Sequence, residues 1–101
     1  METLAVMVLL EAKPGKEEAV AAFLASALPL VRAEPKTLRW YALRLGPAMF
    51  GIFDTFAEED GRRAHLTGPV AAALSARAEE LFVAPPAIAS SDILAFNPAE
   101  A

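Results

Sequence analysis

The 101-residue chain contains no cysteine, one histidine and five glycines. The absence of cysteine excludes disulfides, thiolate metal sites and a cysteine nucleophile. The acidic residues lack the convergent spacing with histidine that a metal site needs, and no glycine-rich phosphate loop is present. No serine lies in the context of a hydrolytic triad. We therefore expect neither a metal nor another cofactor.

Positive charge is also scarce, since nine Lys and Arg face thirteen Asp and Glu and give a net charge of −4. A sequence-independent nucleic-acid binder needs a basic patch, and an anionic membrane surface attracts basic segments. The apolar run Leu4–Leu10 is too short to span a bilayer and lacks a basic flank. We therefore expect a soluble, cytoplasmic protein without nucleic-acid or membrane partners.

Hydrophobic residues, by contrast, are abundant and make up 55% of the chain. A chain of this length suits one domain, which we place at residues 1–101, with a core over 4–96 and a frayed tail at 97–101. So small a domain cannot bury that much apolar surface by itself. The composition therefore favours an oligomer.

The stretch from Thr37 to Ala57 predicts a hairpin of two apolar strands joined at Gly46-Pro47-Ala48. Alternate residues of a strand point to opposite faces of the sheet. In the second strand both sets are largely apolar: Phe50, Ile52, Asp54 and Phe56 on one side, and Met49, Gly51, Phe53 and Thr55 on the other. We therefore expect both faces of the sheet to be covered.

The remaining chain supplies two strands and two helical regions. A strand is predicted over Leu4–Ala12, a helix kinked by Pro29 after Glu17, a short helix over Glu58–Leu66, a longer helix from Pro69, and a last strand over Ile88–Phe96. This order is the α+β, ferredoxin-like βαββαβ plan with an antiparallel sheet. Its helices cover one face, so we expect a twofold copy of the chain, a homodimer, to cover the other.

Four ordered segments carry a family resemblance: Lys13-Pro14-Gly15-Lys16, Glu34-Pro35-Lys36-Thr37-Leu38, Phe50-x-Ile52-x-Asp54-x-Phe56 and Ala64-His65-Leu66. Together they resemble the antibiotic biosynthesis monooxygenase family over residues 4–96. The resemblance implies a dimeric α+β barrel. Some members of that family oxidise quinols or polyketide aromatics without a cofactor, and others degrade haem.

Two departures bear on the haem-degrading branch. That branch resembles this chain at His65, but it uses an Asn on the first strand and a Trp where Phe56 stands. Neither is present here, so we expect no haem degradation. A third departure is Lys36, which occupies the place of a common family Gly.

His65 and Asp54 are the candidate catalytic residues. The imidazole titrates near neutrality and suits a general base or a hydrogen-bond partner of a phenol, or else a structural anchor of the interhelix loop. Asp54 lies among apolar neighbours, where a carboxylate needs a partner. It is either a pocket acid or half of a structural ion pair with Arg39, Arg44 or Arg63.

The candidate substrate-binding residues are aromatic: Trp40, Tyr41, Phe50 and Phe56. They suit the lining of a pocket for a planar ligand, and they equally suit a plain core. We expect such a pocket between the sheet and the segment Glu58–Leu66.

Three functions remain open. The first is a cofactor-independent monooxygenase that oxidises a quinol or an electron-rich aromatic molecule, with His65 as base and Asp54 or Tyr41 assisting. The second is a non-catalytic dimer of the same fold that binds a small molecule. The third is a structural member whose core is filled.

Overall fold

The computed structural model of the protein describes residues 1–98, so positions 99–101 of the predicted tail lie outside the described residues. The elements, in chain order, are β1 (Leu4–Glu11), α1 (Glu17–Ser26), α2 (Leu28–Arg32), β2 (Arg39–Arg44), β3 (Met49–Phe56), α3 (Glu59–Leu66), α4 (Pro69–Leu81) and β4 (Ala87–Asp92). Each of the two predicted helical regions is thus a pair of helices between strands.

The four strands form one antiparallel sheet in the order β2-β3-β1-β4. This order and the helical crossovers confirm the ferredoxin-like α+β fold. The hairpin strands β2 and β3 pair with Trp40 opposite Asp54, and β3 pairs with β1 in the centre of the sheet.

Proline sets both helix breaks. The first helix stops at Ser26, the N–H of Ala27 donates to the carbonyl of Leu24 in a tight turn, and Pro29 lies in the first turn of α2. Proline has no N–H to donate and fits only the start of a helix. The predicted interruption at Pro29 is confirmed, and Pro69 likewise begins α4.

The last strand is shorter than predicted, since it ends at Asp92 rather than at Phe96. Its only neighbour in the sheet as described is β1, and Asp92 is paired with Leu4, the first residue of that strand. The N–H of Ile93 still donates to the carbonyl of Thr3, but beyond it β1 offers no further partner.

The two faces of the sheet differ within one chain. The helices cover the face that carries the even-numbered residues of β1 and β3, which form the core: Val6, Val8, Leu10, Phe50, Ile52 and Phe56. The opposite face, here called the bare face, carries Met7, Leu9, Tyr41, Met49 and Phe53. Leu10 is 1% exposed and its neighbour Leu9 is 41% exposed. Among the described residues, helices cover one face of the sheet only, and the bare face keeps exposed apolar residues such as Leu9.

No helix within residues 1–98 combines the length and the apolar character needed to cross a membrane.

Candidate functional site

His65 lies in the last turn of α3, and its ring is buried between two carboxylates. Nδ1 lies 2.6 Å from Oε1 of Glu34, and Nε2 lies 2.8 Å from Oδ2 of Asp54. The ring of Phe56 packs against the imidazole with 5.5 Å between the ring centroids. The structure thus brings both predicted catalytic residues together and adds a third residue, Glu34.

Asp54 lies on β3 and is 0% exposed. Its Oδ2 is within hydrogen-bond distance of Nε2, but neither oxygen has an aligned hydrogen-bond donor among the described residues. The contact is therefore a close, poorly aligned ionic one. Because a buried carboxylate is costly without a partner, His65 is what makes Asp54 tolerable here.

The arginines expected beside Asp54 lie elsewhere. Arg39 pairs with Glu2 at 2.8 Å, and Arg44 contacts Glu18 at 3.2 Å. The alternative of an ion pair between Asp54 and Arg39, Arg44 or Arg63 is thus wrong, since the charged group beside Asp54 among the described residues is His65. The partner is an imidazole, because β3 presents Asp54 to the helix-covered face, where α3 places its histidine.

Glu34 was not among the sequence candidates. The hydroxyl of Thr37 donates to its Oε1 at 2.7 Å, and the same oxygen lies 2.6 Å from Nδ1 of His65. Its Oε2 is buried without a donor among the described residues. The only local signal was the Glu34-Pro35 segment of the family resemblance. Nothing in the spacing shows that it meets a side chain 31 positions away.

Gly61 allows Glu34 and His65 to approach each other. A Cβ at Gly61 would lie 2.9 Å from the Cβ of Lys36 and 3.2 Å from its carbonyl oxygen. Real Cβ atoms rarely approach backbone so closely, so glycine lets α3 pack directly against the loop that follows α2. That close packing brings His65 within reach of Glu34.

The electrostatics of the site favour a charged imidazole. Burial by itself lowers the pKa of His65, but the close contacts with the carboxylates of Asp54 and Glu34 together outweigh it and raise the pKa above its usual value. The imidazolium is therefore held more strongly than in an exposed histidine.

A cavity of about 460 Å³, here called the inner cavity, lies between the sheet, α3 and α4. Among the described residues that line it, His65 and Ser75 are the polar ones. The rest of the wall is aliphatic: Val8, Ile52, Leu66, Val70, Ala71, Leu74, Ala78, Pro85, Pro86 and Ile88. The position matches the pocket expected between the sheet and the segment Glu58–Leu66.

A second cavity of about 500 Å³, the outer cavity, lies between α2, the following loop and α3. Glu34, Lys36, Thr37 and Asp60 line it, and His65 lines it as well. The histidine thus borders both cavities. Lys36 and Asp60 form an exposed ion pair beside it.

The four aromatic candidates do not line the inner cavity. Phe50 and Phe56 are buried in the core, and Trp40 is half-buried on the same face. Tyr41 lies on the bare face, where its ring stacks on Phe53 at 6.5 Å. The sheet therefore separates Tyr41 from His65, and the aromatic floor expected beneath the pocket is an aliphatic one.

Within residues 1–98 no group of three or more acidic or histidine side chains is arranged to hold a metal ion. Glu34, His65 and Asp54 face one another in a line, not a common point, so their geometry is that of an ion cluster.

Neither a family model nor a curated protein sequence matches the chain. Among solved structures, the NE2512 protein of unknown function from Nitrosomonas europaea is 53% identical, with a TM-score of 0.95, and the match covers 100% of this chain and 98% of that one.

Two more distant structures are described as proposed antibiotic biosynthesis monooxygenases. The one from Nitrosomonas europaea is 16% identical over 91% of this chain and 99% of its own, with a TM-score of 0.80. The one from Caulobacter crescentus is 18% identical over 93% and 92%, with a TM-score of 0.77. At this identity the likeness confirms the ferredoxin-like α+β fold of the chain and nothing about its activity.

Proposed function

We propose, since this chain belongs to the same family as the NE2512 protein and has the antibiotic biosynthesis monooxygenase fold, that it binds a small apolar molecule in the inner cavity and oxidises it with O2. The substrate class is a quinol or an electron-rich aromatic molecule, and no cofactor takes part. The observation that carries the proposal is an aliphatic cavity of about 460 Å³ whose one ionisable wall residue is His65.

The chemistry asks little of the protein. A deprotonated quinol is electron-rich enough to donate an electron to O2, so the protein must hold it, exclude water and accept one proton. The aliphatic wall supplies an apolar surface that holds the molecule. Its lack of Lys and Arg disfavours anionic substrates and fits a neutral molecule.

We assign the proton to Nε2 of the neutral His65 ring, which exists above the raised pKa of that residue. The O–H bond of the substrate breaks, an N–H bond forms at Nε2, and the electron pair stays on the substrate oxygen. Nε2 lies 2.8 Å from Asp54 without an aligned hydrogen bond, and we propose that a substrate hydroxyl takes the place of that contact. The resulting imidazolium lies between Asp54 and Glu34, whose charges stabilise it.

Of the predicted substrate-binding residues, Phe56 keeps a part in this proposal because its ring packs on the imidazole. Trp40 and Phe50 belong to the same sheet face without lining the inner cavity. The proposal does not use Tyr41, which lies on the bare face.

The alternative function is non-catalytic binding of a small molecule in the same cavity. One observation favours it: both imidazole nitrogens of His65 already lie within 2.8 Å of a carboxylate oxygen, as in a structural ion cluster. In that case the histidine shapes the wall of the cavity and transfers no proton.

We further propose that the chain is a homodimer whose bare faces pack against each other. Exposed apolar residues on that face support this, with Leu9 at 41% and Tyr41 at 46% exposure. A contiguous apolar sheet face is typical of a protein interface. A second copy would bury both without adding a helix.

Oxygen uptake with a panel of neutral quinols tests the proposed reaction. His65→Ala is expected to lower the rate by roughly 10²-fold, the lower end of general-base contributions, while Glu79→Gln on the exposed side of α4 leaves it unchanged. An active enzyme with an unchanged rate in His65→Ala would remove the base.

Calorimetric binding of the same quinols tests the cavity. Ala71→Phe fills the inner cavity and is expected to abolish binding, whereas Ala72→Phe, one position along α4 and exposed, is not. Binding without oxygen uptake would favour the non-catalytic alternative, and neither binding nor uptake would overturn both functions.

A further inference from the structure

The two carboxylates beside His65 do not hold it equally. Glu34 makes an aligned hydrogen bond at 2.6 Å to Nδ1, while Asp54 lies 2.8 Å from Nε2 without an aligned bond. A neutral imidazole carries one proton, and the two carboxylates compete for it. The nitrogen that keeps the proton is set by the better hydrogen bond at that nitrogen.

We propose that Glu34 is the positioning residue of this site and that it fixes the neutral imidazole of His65 as the Nδ1–H tautomer. The lone pair is then left on Nε2, the nitrogen to which the proposed function assigns the substrate's proton. The meaning of this inference for catalysis rests on that proposed function, but the tautomer itself does not.

The surroundings of Glu34 support the assignment. The hydroxyl of Thr37 donates to the same Oε1 at 2.7 Å, so the carboxylate oxygen is held in place before the imidazole reaches it. The Thr37 hydroxyl marks Oε1 as an acceptor, and an ionised carboxylate has no proton to donate, so the short contact to Nδ1 calls for an N–H at that nitrogen.

The arrangement follows the logic of a catalytic triad. There, a carboxylate bonded to one imidazole nitrogen holds the ring in the tautomer and orientation that leave the other nitrogen free to accept a proton. Here Glu34 takes the role of that carboxylate. Asp54, sealed from solvent on the other side, supplies charge that stabilises the imidazolium once it forms.

Charged groups that face the imidazole come from two elements only among the described residues: Glu34 from the loop after α2 and Asp54 from β3. Lys36 and Asp60 also line the outer cavity, but they neutralise each other in an ion pair. The titration of His65 therefore depends mainly on the charges of Glu34 and Asp54.

His65 is the only histidine in the chain, so its nuclear magnetic resonance signals need no assignment. We would label histidine with ¹⁵N and ¹³C and follow the ring shifts against pH in the whole protein without any ligand. These shifts distinguish the Nδ1–H tautomer, the Nε2–H tautomer and the imidazolium.

The wild-type protein is expected to show Nδ1–H above the titration midpoint. Glu34→Gln keeps an acceptor oxygen but loses the charge, so it should lower the midpoint and keep the tautomer. Glu34→Leu removes both and should shift the neutral form to Nε2–H beside Asp54. Glu79→Gln, the same charge change on the exposed side of α4, should alter neither.

The inference would be overturned if the neutral imidazole of the wild-type protein were the Nε2–H tautomer. It would also be overturned if the neutral imidazole of the Glu34→Leu variant remained the Nδ1–H tautomer. Should Glu34→Leu fail to fold, the isosteric Glu34→Gln decides: an unchanged midpoint relative to Glu79→Gln means that Glu34 does not hold the ring. If no quinol is oxidised, the proposed reaction fails while the tautomer result stands.

Discussion

The two faces of the sheet are built from neighbouring residues of the same strands, yet they have opposite surroundings. Leu10 is buried under the helices at 1% exposure, and Leu9, the residue before it, remains 41% exposed on the bare face. Tyr41 and Phe53 stack on each other on that bare face, while Phe50 and Phe56 lie inside the core.

The two faces have different roles, which the alternating apolar pattern of the sequence does not distinguish. The helix-covered face holds the core of the single chain and also the buried cluster of Glu34, His65 and Asp54. The bare face holds apolar surface that this chain alone leaves uncovered. Folding depends on the first face, and the proposed association depends on the second.

The largest expected effect tests the bare face. Leu9→Lys places a charge in the proposed dimer interface, and an unpaired buried charge costs roughly 3–5 kcal/mol. We expect the wild type to sediment as a dimer at micromolar concentration and this variant as a folded monomer. Leu30→Lys, on α2 at a similar 39% exposure, is the control and should remain dimeric. A wild type that sediments as a stable monomer would contradict the comparison.

Truncation in the core comes next. Leu10→Ala removes a side chain buried under the helices and should lower the free energy of unfolding by about 2–5 kcal/mol. Leu9→Ala, on the other face, should lower the free energy of unfolding by clearly less. Denaturant unfolding below the concentration at which the dimer forms measures both, so that only packing within one chain is compared. Equal losses would show that the two faces are equally packed.

A smaller effect is expected at the contact between α3 and the loop carrying Glu34. Gly61→Ala adds a Cβ that would lie 2.9 Å from the side chain and 3.2 Å from the carbonyl of Lys36. Overpacking of this kind costs about 1–3 kcal/mol, although alanine is the better helix former. Thermal unfolding checks this, with Ala64→Gly as a control for propensity on the same helix. A Gly61→Ala variant that is more stable than the wild type would show that the loop at Lys36 moves to accommodate the added Cβ.

The smallest effect is the pH dependence of stability. The pKa of His65 is raised in the folded protein by Asp54 and Glu34, against the effect of burial, so the folded state binds its proton more tightly than the unfolded state. The resulting stability is fully present below about 6.5, the usual histidine pKa, and is lost as the pH rises through the raised value.

The free energy of unfolding, measured from weakly acidic to alkaline pH, should therefore begin to decline near neutrality. His65→Gln removes the titrating group and should flatten this part of the profile. A wild-type stability that instead increases across the same range would mean that the carboxylates do not hold the imidazolium.

Much of the fold followed from local sequence. Pro29 and Pro69 mark helix breaks through the missing N–H, and the hairpin is bounded by a Gly-Pro turn, so these features need no distant partner. The end of β4 depended on a distant strand instead, because its last residue, Asp92, pairs with the first residue of β1.

The candidate site divides in the same way. His65 and Asp54 could be singled out because a lone histidine and a carboxylate among apolar residues are visible in the sequence. Glu34 could not, because its role depends on the packing of α3 against the loop at Gly61. The aromatic residues were predicted as one group, but strand pairing places Tyr41 on the other face from Phe56.

By itself, the sequence determined the order of strands and helices, the breaks between them and the excess of apolar residues, because each depends on neighbouring residues or on composition. Only the tertiary structure decided which face of the sheet stays bare and which carboxylates hold His65. Both sets of alternating residues in β3 are largely apolar, so the pattern gives no preference between the faces. The docking of the helices on the side of Phe50 and Phe56 makes that choice and brings Glu34 and Asp54 to the same imidazole.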